Sequence, residues 1–147
     1  MLKFDPLAFL RNPKEKKIVL RVPSETGHIR KVSSRILGSL APYALDEGRI
    51  FDIRLCIEEA VRNAMVHGNH SDRKLDVTVS YLLEGDKLTI EVEDKGMGFD
   101  HATVDDPTLE PHMLKNSGRG VYLIKKLMDK TEYNSTGNKL TMVKNLK

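Results

Sequence analysis

The stretch EEAVRNAMVHG, residues 58–68, decides both the fold and the chemistry of this chain. It ends the most strongly helical part of the sequence, which runs from about Asp46 to His67. Apolar residues recur along this segment at three- and four-residue steps and form one stripe: Ile53, Ile57, Ala60, Val61 and Ala64. Gly68 follows the last turn and predicts a left-handed C-cap. The pattern predicts a long amphipathic helix packed on a core.

Polar side chains lie beside the apolar stripe of this helix. Asp52, Glu59 and Asn63 fall within about 40° of one another on the helical wheel. Asparagine is only a fair helix former, so solubility alone does not explain its place at the border of a core. One interpretation is a ligand for a hard cation at Asn63, with Glu59 placed to accept a proton. The other is a polar helix border, and the helix alone leaves both open.

A second polar motif, Asp94-Lys-Gly-Met-Gly98, follows an alternating run over residues 87–93. Because Gly96 and Gly98 carry no Cβ, the backbone can approach a flat ligand closely. The Asp94 carboxylate can accept a hydrogen bond from an exocyclic amine such as adenine N6. A glycine-rich turn whose aspartate supports the bend explains the same residues, so this motif alone is also open.

A third motif, Ser117-Gly-Arg-Gly120, lies immediately before a helix predicted over residues 120–130. Free amide N–H groups at a helix N-terminus suit a phosphate, and Arg119 can add charge-assisted hydrogen bonds. A flexible hinge followed by a helix start is the alternative interpretation. The sequence contains no Gly-x-x-x-x-Gly-Lys-Ser/Thr loop, and these glycines do not lie in the strand–turn–helix unit of dinucleotide-binding folds.

The remaining segments predict one domain, residues 16–147, preceded by an N-terminal arm, residues 1–15. The predicted order is strand, helix, helix, hairpin, long loop, helix and a second strand pair. The corresponding ranges are 16–22, 24–40, 46–67, 75–83 with 87–93, 95–117, 120–130, and 131–135 with 139–144. Grouped hairpins and helices favour an α+β fold, a two-layer α/β sandwich with helices on one face of a mixed, mostly antiparallel sheet. A loop as long as residues 95–117 is typical of a functional lid.

The composition indicates a compact domain with a well-solvated surface. Of 147 residues, 39% are hydrophobic and 31% are charged, which suffices for one core. The net charge is only +3, with acids interleaved among bases, so nucleic acid is not the expected partner. No stretch approaches the roughly 18 apolar residues of a membrane span, and the N-terminus does not resemble a secretory signal. We therefore expect a cytoplasmic protein that binds neither nucleic acid nor membrane.

The three motifs occur in a recognisable order: on a helix, at a strand end, and at a helix start after a long loop. This order resembles the GHKL, or Bergerat-fold, ATPase superfamily over about residues 16–145. Within the superfamily, the chain is most similar to the small anti-sigma-factor serine/threonine kinases. The residues that carry this resemblance are Glu59–Gly68, Asp94–Gly98, Ser117–Val121 and Leu127–Asp129.

The resemblance implies roles for the motif residues around an ATP pocket between sheet and helices. Glu59 would be the general base, Asn63 would hold Mg²⁺, and Asp94 would bind adenine. Gly96 and Gly98 would shape the pocket floor. After the lid, the phosphates would be held by four residues: Ser117, Gly118, Arg119 and Gly120. Many superfamily members carry Gly-Thr near the adenine, whereas this chain has Gly137-Asn138, and Asn138 can still hydrogen-bond.

The resemblance also implies partners. The expected activity is ATP- and Mg²⁺-dependent phosphorylation of an anti-sigma antagonist with the STAS fold, with ADP as product. A sigma factor would be the competing partner, and a homodimer through the first helix, residues 24–40, is expected. One alternative is a catalytically silent, nucleotide-gated module that sequesters a regulator. Another is a slow ATPase switch coupled to dimer formation.

Overall fold

The computed structural model describes residues 17–96 and 116–147, except for the side chains of residues 116–118. The predicted arm at residues 1–15, most of the predicted lid, and Gly98 lie outside the described residues. Within the described residues there are five strands: β1 Ile18–Pro23, β2 Asp76–Glu84, β3 Lys87–Glu93, β4 Lys130–Tyr133 and β5 Lys139–Asn145. Three α-helices accompany them: α1 Ile29–Gly38, α2 Glu47–Asn63 and α3 Asn116–Leu127.

The strands form one sheet in the order β1-β2-β3-β5-β4, and every described pairing is antiparallel. The predicted hairpin joins β2 to β3, where Glu84 pairs with Lys87. Gly85 has φ +58° in that two-residue turn, a conformation that glycine adopts without strain. The predicted α+β fold class is confirmed, and the parallel pairing that a mixed sheet allows does not occur among the described strands.

One face of the sheet packs against the three helices to form the core. Alternate strand residues point to this face, so the register aligns Val79 with Val92 and Val92 with Leu140. All three are buried in one cluster with helix residues such as Ile36, Ile57 and Ile124. Burying each large aliphatic side chain contributes about 1.5–3 kcal/mol. The two-layer arrangement therefore follows from period-two strands meeting amphipathic helices.

Helix α2 crosses the middle of the helical layer and contacts both α1 and α3. It begins at Asp46, whose carboxylate accepts a hydrogen bond from the Arg49 amide at 2.8 Å. Cys56 lies on its inner side, and burial raises the pKa of the thiol to about 12. The thiol therefore stays protonated, as the apolar sequence pattern predicts for a structural cysteine. No helix within the described part of the chain is long and apolar enough to cross a bilayer.

The opposite face of the sheet carries an ion-pair cluster. Glu91 lies between Lys17 and Lys139, with an oxygen 3.2 Å from the Lys139 Nζ. The hydrogen bond from Lys17 is the main cause that holds the pKa of Glu91 below its ordinary value. Since these side chains remain partly exposed, the cluster adds little stability. These polar side chains cover this face, and the candidate site lies on the other face of the sheet.

Several predicted helix ends are wrong. The first helix begins at Ile29 rather than at Ser24, after a 3-10 turn over Thr26–His28. Helix α3 begins at Asn116 rather than at Gly120, so the third motif forms the first turn of the helix instead of the loop before it. Gly118 and Gly120 lower helix propensity and favour a loop in the sequence, but packing against α2 overrides that preference. Gly68 is not the predicted left-handed C-cap: it lies in a π-helical turn, Ala64–Gly68, and the left-handed residues are His70 and Ser71.

Candidate functional site

A π-helical turn at the end of α2 shapes the candidate site. The Asn69 amide donates to the Ala64 carbonyl at 2.9 Å, which is the i to i−5 bond of such a turn. The wider turn carries the chain from Asn63 toward the end of β3, so His67 and Gly68 lie at the edge of a cavity. π-turns of this kind are common at functional sites, because they redirect side chains without ending the helix early.

The cavity lies between the sheet and helices α2 and α3, and its volume is about 140 Å³. Apolar side chains form most of its wall, and these are Ala60, Ala64, Val92, Val121 and Leu140 together with the ring of Tyr133. Polar groups reach it at Asn63, His67, Asp94 and Asn138. A mostly apolar slot with a few polar groups suits a flat heterocyclic base.

Asp94 is the half-buried carboxylate of this cavity. Its Oδ1 accepts a hydrogen bond from the Gly96 amide at 2.7 Å. Burial is the main cause that raises the pKa of Asp94 above its ordinary value of 3.8, and the Gly96 hydrogen bond opposes this shift. The raised pKa marks a carboxylate whose charge costs free energy in the unliganded fold, which is typical of a binding site.

Two glycines make close contacts around this carboxylate, and their lack of a Cβ is required. A Cβ at Gly68 would overlap the Asp94 carboxylate. A Cβ at Gly96 would overlap the backbone carbonyl of Gly68. The turn of residues 94–96, called here the Asp94 turn, therefore packs directly on the π-turn. Gly96 does not line the cavity itself, so its role in shaping the cavity floor stays a prediction.

Asn138 joins the Asp94 turn to the start of β5. Its Nδ2 donates to the carbonyls of Asp94 and Gly96, at 3.4 and 3.3 Å. Its own carbonyl accepts from the Asp94 amide at 3.0 Å. Its Oδ1 accepts from Asn134 and Thr136. The side chain lines the cavity as predicted for Gly137-Asn138, but its polar atoms are engaged with the protein.

A second cavity, of about 310 Å³, opens between α2 and α3 and is called here the Glu59 cleft. Glu59 and Asn63 lie on its α2 side and Gly120 on its α3 side. A Cβ at Gly120 would lie 2.8 Å from the Glu59 Oε2 and 2.9 Å from the Asn63 Nδ2. The helix pattern therefore predicted correctly that Glu59 and Asn63 lie together, whereas Asp52 lines neither cavity. Asn63 and His67 line both cavities, so the two are neighbours.

The side chains of the Glu59 cleft are held more loosely. Glu59 accepts from Arg62 at 3.2 Å in an ion pair that is partly exposed. The Asn63 side chain has no hydrogen-bond partner within residues 17–96 and 116–147. Its amide oxygen therefore remains available, together with phosphate oxygens and water, as the kind of ligand that Mg²⁺ prefers. Among the described residues, no group of three His, Cys, Asp or Glu side chains could hold a metal ion.

The first turn of α3 contains the residues that the sequence predicts to bind phosphate. A helix leaves its first four amide N–H groups without intrahelical partners, and residues 116–119 occupy that position. Arg119 and Gly120 line the Glu59 cleft. The side chain of Ser117 and the Cα environment of Gly118 lie outside the described residues, as does Gly98. The geometry thus supports a helix N-terminus at the cleft, one turn earlier than predicted.

A family comparison identifies this arrangement. The model of the histidine kinase-like ATPase domain matches residues 22–144, which is most of the chain and includes both cavities. The chain belongs to this family. The predicted GHKL resemblance is confirmed, and binding of ATP is the property that the family shares.

Named relatives extend the likeness over nearly the whole length. A serine-protein kinase RsbW of Listeria monocytogenes is 27% identical over 135 residues, covering 87% of this chain and 86% of the relative. A serine-protein kinase RsbW of Staphylococcus aureus is 29% identical over 143 residues, covering 91% and 89%. The solved RsbU and RsbW domains of a Mycobacterium tuberculosis protein share the fold at 21% identity and a TM-score of 0.58. That match covers 87% of this chain and 31% of the solved chain.

The sequence motifs missed three contributors to the site. Gly68 is required by close contact, Arg62 holds Glu59, and Asn69 is a buried asparagine beyond the π-turn. Asn69 follows the glycine of the first motif directly, and an Asn after the predicted helix end was its only local signal. The hydrogen-bond partners of its side chain lie 6 to 45 residues away in the chain, so no local pattern reveals them.

Proposed function

We propose that this chain is an ATP-dependent protein serine/threonine kinase that phosphorylates an anti-sigma antagonist of the STAS fold. The observation that carries the proposal is the meeting of Glu59, Asn63 and Gly120 beside the cavity that holds Asp94. The cavity proposed for the adenine and the cleft that holds the Glu59 carboxylate are therefore neighbours. The names of the Listeria and Staphylococcus relatives, serine-protein kinase RsbW, support the protein kinase activity.

The nucleotide binds across both cavities. The adenine lies between the apolar walls, and its N6 amine donates to the Asp94 carboxylate. Asn138 acts through the Asp94 turn, and the expected role of Gly96 and Gly98 in the pocket floor is part of the same proposal. The phosphates extend past Asn63 toward Ser117, Gly118, Arg119 and Gly120 at the start of α3. Mg²⁺, when bound at Asn63 and the phosphate oxygens, supplies positive charge that offsets the charge developing during transfer.

Glu59 acts as the general base. Its carboxylate takes the proton of the incoming serine or threonine hydroxyl, and the hydroxyl oxygen forms a bond to the γ-phosphorus. The bond from that phosphorus to the β–γ bridging oxygen breaks, which leaves a phosphorylated protein and ADP. Arg62 keeps Glu59 oriented in the cleft through the ion pair at 3.2 Å. The substrate hydroxyl enters the cleft, whose lining also includes Val66 and Leu123.

The partner surface belongs to the same proposal. The exposed side of α1 carries Arg30, Lys31 and Arg35, and the helix has no acidic residue, which suits an acidic partner surface. A sigma factor as the competing partner, a homodimer through residues 24–40 and a cytoplasmic location complete it. A nucleotide-gated module without catalysis is the second candidate, favoured by Asn138 in place of the usual Thr.

Phosphotransfer from radiolabelled ATP to purified STAS-fold proteins of the same organism tests the proposal, with Glu59→Gln beside the wild type. Glu58→Gln is the matched control, because Glu58 is adjacent in α2 but bonds to Ser33 and Arg54 instead of facing the cleft. We expect Glu59→Gln to keep ADP affinity and to lose phosphotransfer by about 10²–10⁴-fold.

Each candidate function gives a different product. A labelled partner that disappears with Glu59→Gln supports the kinase. A stable, unlabelled complex that requires nucleotide supports the sequestering module, and release of free phosphate without labelling of any protein supports the ATPase switch. Full phosphotransfer by Glu59→Gln would remove Glu59 from the role of base.

A further inference from the structure

Asn69 is a buried side chain that none of the catalytic roles above uses. It is 1% exposed and lies between the π-turn and β2. Its Oδ1 accepts from the Lys95 amide at 2.7 Å. Its Nδ2 donates to the Ser24 Oγ at 2.9 Å and to the Asp76 carbonyl at 3.2 Å. A fully bonded amide in a core is costly to disturb, so these contacts fix what they join.

The contacts of Asn69 join the Asp94 turn to the sheet ends. Ser24 follows β1 and Asp76 begins β2, and the Ser24 Oγ also donates to the Leu75 carbonyl at 2.7 Å. The Nδ2 of Asn69 is therefore hydrogen-bonded at the edge of the sheet where β1 ends and β2 begins. The Oδ1 side holds the peptide that links Asp94 to Lys95.

This anchoring fixes the Asp94 turn from the side opposite Asn138. Asn138 holds the carbonyls of Asp94 and Gly96, while Asn69 holds the amide of Lys95. The carboxylate itself is bonded to the Gly96 amide. With the main chain held on both sides, the direction in which Asp94 presents its free oxygen is set before any ligand arrives.

We propose that Asn69 is a positioning residue that sets base specificity by holding the Asp94 turn, an inference that rests on the proposed nucleotide site. A fixed, acceptor-only carboxylate favours a purine with an amine at position 6. It disfavours a purine with a carbonyl oxygen there, because two acceptors then face each other. Loss of the Lys95 anchor lets the carboxylate turn away, which relaxes this discrimination.

Calorimetric titration with ADP and with inosine diphosphate, which has a carbonyl oxygen at position 6, tests the inference without any protein partner. The variants are Asn69→Ala and Ser24→Ala. Both break the Asn69–Ser24 hydrogen bond, but only Asn69→Ala removes the anchor of Lys95. We expect the preference for ADP over inosine diphosphate to fall about tenfold in Asn69→Ala and to stay at the wild-type ratio in Ser24→Ala.

The ratio of the two affinities separates positioning from a purely structural role, because partial unfolding weakens the binding of both nucleotides equally. Equal losses for the two nucleotides in Asn69→Ala overturn the inference and leave the proposed function intact. Failure of the wild type to bind either nucleotide overturns the proposed function instead. If Asn69→Ala does not fold, Asn69→Ser, which also removes the amide acceptor of the Lys95 N–H but keeps a small polar side chain, decides: we expect a reduced ADP preference, and an unchanged preference in the folded variant overturns the inference.

Discussion

The Asp94 turn and the Glu59 cleft are neighbours, but their side chains are held in different ways. Around Asp94, the Gly96 amide donates to the carboxylate, the Asn138 side chain donates to the Asp94 carbonyl, and the Asn69 side chain accepts from the Lys95 amide. In the cleft, Glu59 forms a partly exposed ion pair, and the Asn63 side chain has no hydrogen-bond partner within the described residues. The glycines follow the same division, since a Cβ at Gly96 meets backbone and one at Gly120 meets side-chain ends.

Under the proposed function, this difference means that the groups for adenine recognition are fixed before the ligand arrives, whereas the groups for phosphotransfer stay adjustable. A rigid base site lowers the entropy lost on binding. Adjustable side chains suit a step that needs both nucleotide and acceptor in place. Substitutions that add a single methyl group at each region test the division most directly.

The largest effect is expected from Gly96→Ala. The added Cβ meets the Gly68 carbonyl, and because backbone cannot rotate away, the Asp94 turn must shift. We expect ADP affinity to fall by at least about 100-fold and the thermal midpoint to drop, since the displaced turn loses charge-assisted and buried hydrogen bonds. Calorimetry and thermal unfolding measure the two effects. Unchanged ADP affinity would mean that the turn is not rigid.

A smaller and differently distributed effect is expected from Gly120→Ala. The Cβ approaches the Glu59 Oε2 and the Asn63 Nδ2, and both side chains can move aside. We expect ADP affinity within about threefold of wild type and phosphotransfer reduced by about tenfold, because the catalytic side chains are displaced. Gly38→Ala is the control, because its added Cβ has open space in α1. Equal losses in binding and transfer would contradict the adjustable character of the cleft.

The smallest effect concerns pH. Burial raises the pKa of Asp94 above 3.8, so the folded state holds this proton more tightly than the unfolded state does. Stability contributed by Asp94 is therefore present at low pH and lost as pH rises through the raised pKa. As the pH is lowered from about 7 to about 4, the thermal midpoint of the wild type should approach that of Asp94→Asn, because the asparagine cannot titrate. A difference in midpoint that stays constant over this range would contradict the raised pKa.

Local patterns predicted much of the framework. Helix α2, the hairpin of β2 and β3, and the pairing of Glu59 with Asn63 come from periodicities of 3.6 and 2, which neighbouring residues carry. The start of α3 was misplaced by four residues, because the preference of glycine for loops yielded to packing against α2.

The long-range hydrogen bonds that hold the site together could not be predicted from the sequence. Asn69 bonds to Lys95 and Ser24, which are 26 and 45 residues away, and Asn138 bonds to Asp94 across 44 residues. The need for glycine at position 68 was attributed to a left-handed cap, but contact with Asp94 imposes it. Such requirements arise from tertiary contact, which local patterns do not contain.

The central claim is that the Asp94 carboxylate recognises the base and costs stability in doing so. Calorimetric titration of ADP into Asp94→Asn beside the wild type, with thermal unfolding of the same samples at neutral pH, tests it directly. The account predicts that the wild type binds. It predicts that the variant shows no binding at about millimolar nucleotide while its midpoint is equal to or above that of the wild type. Wild-type ADP affinity in a folded Asp94→Asn variant would contradict the account.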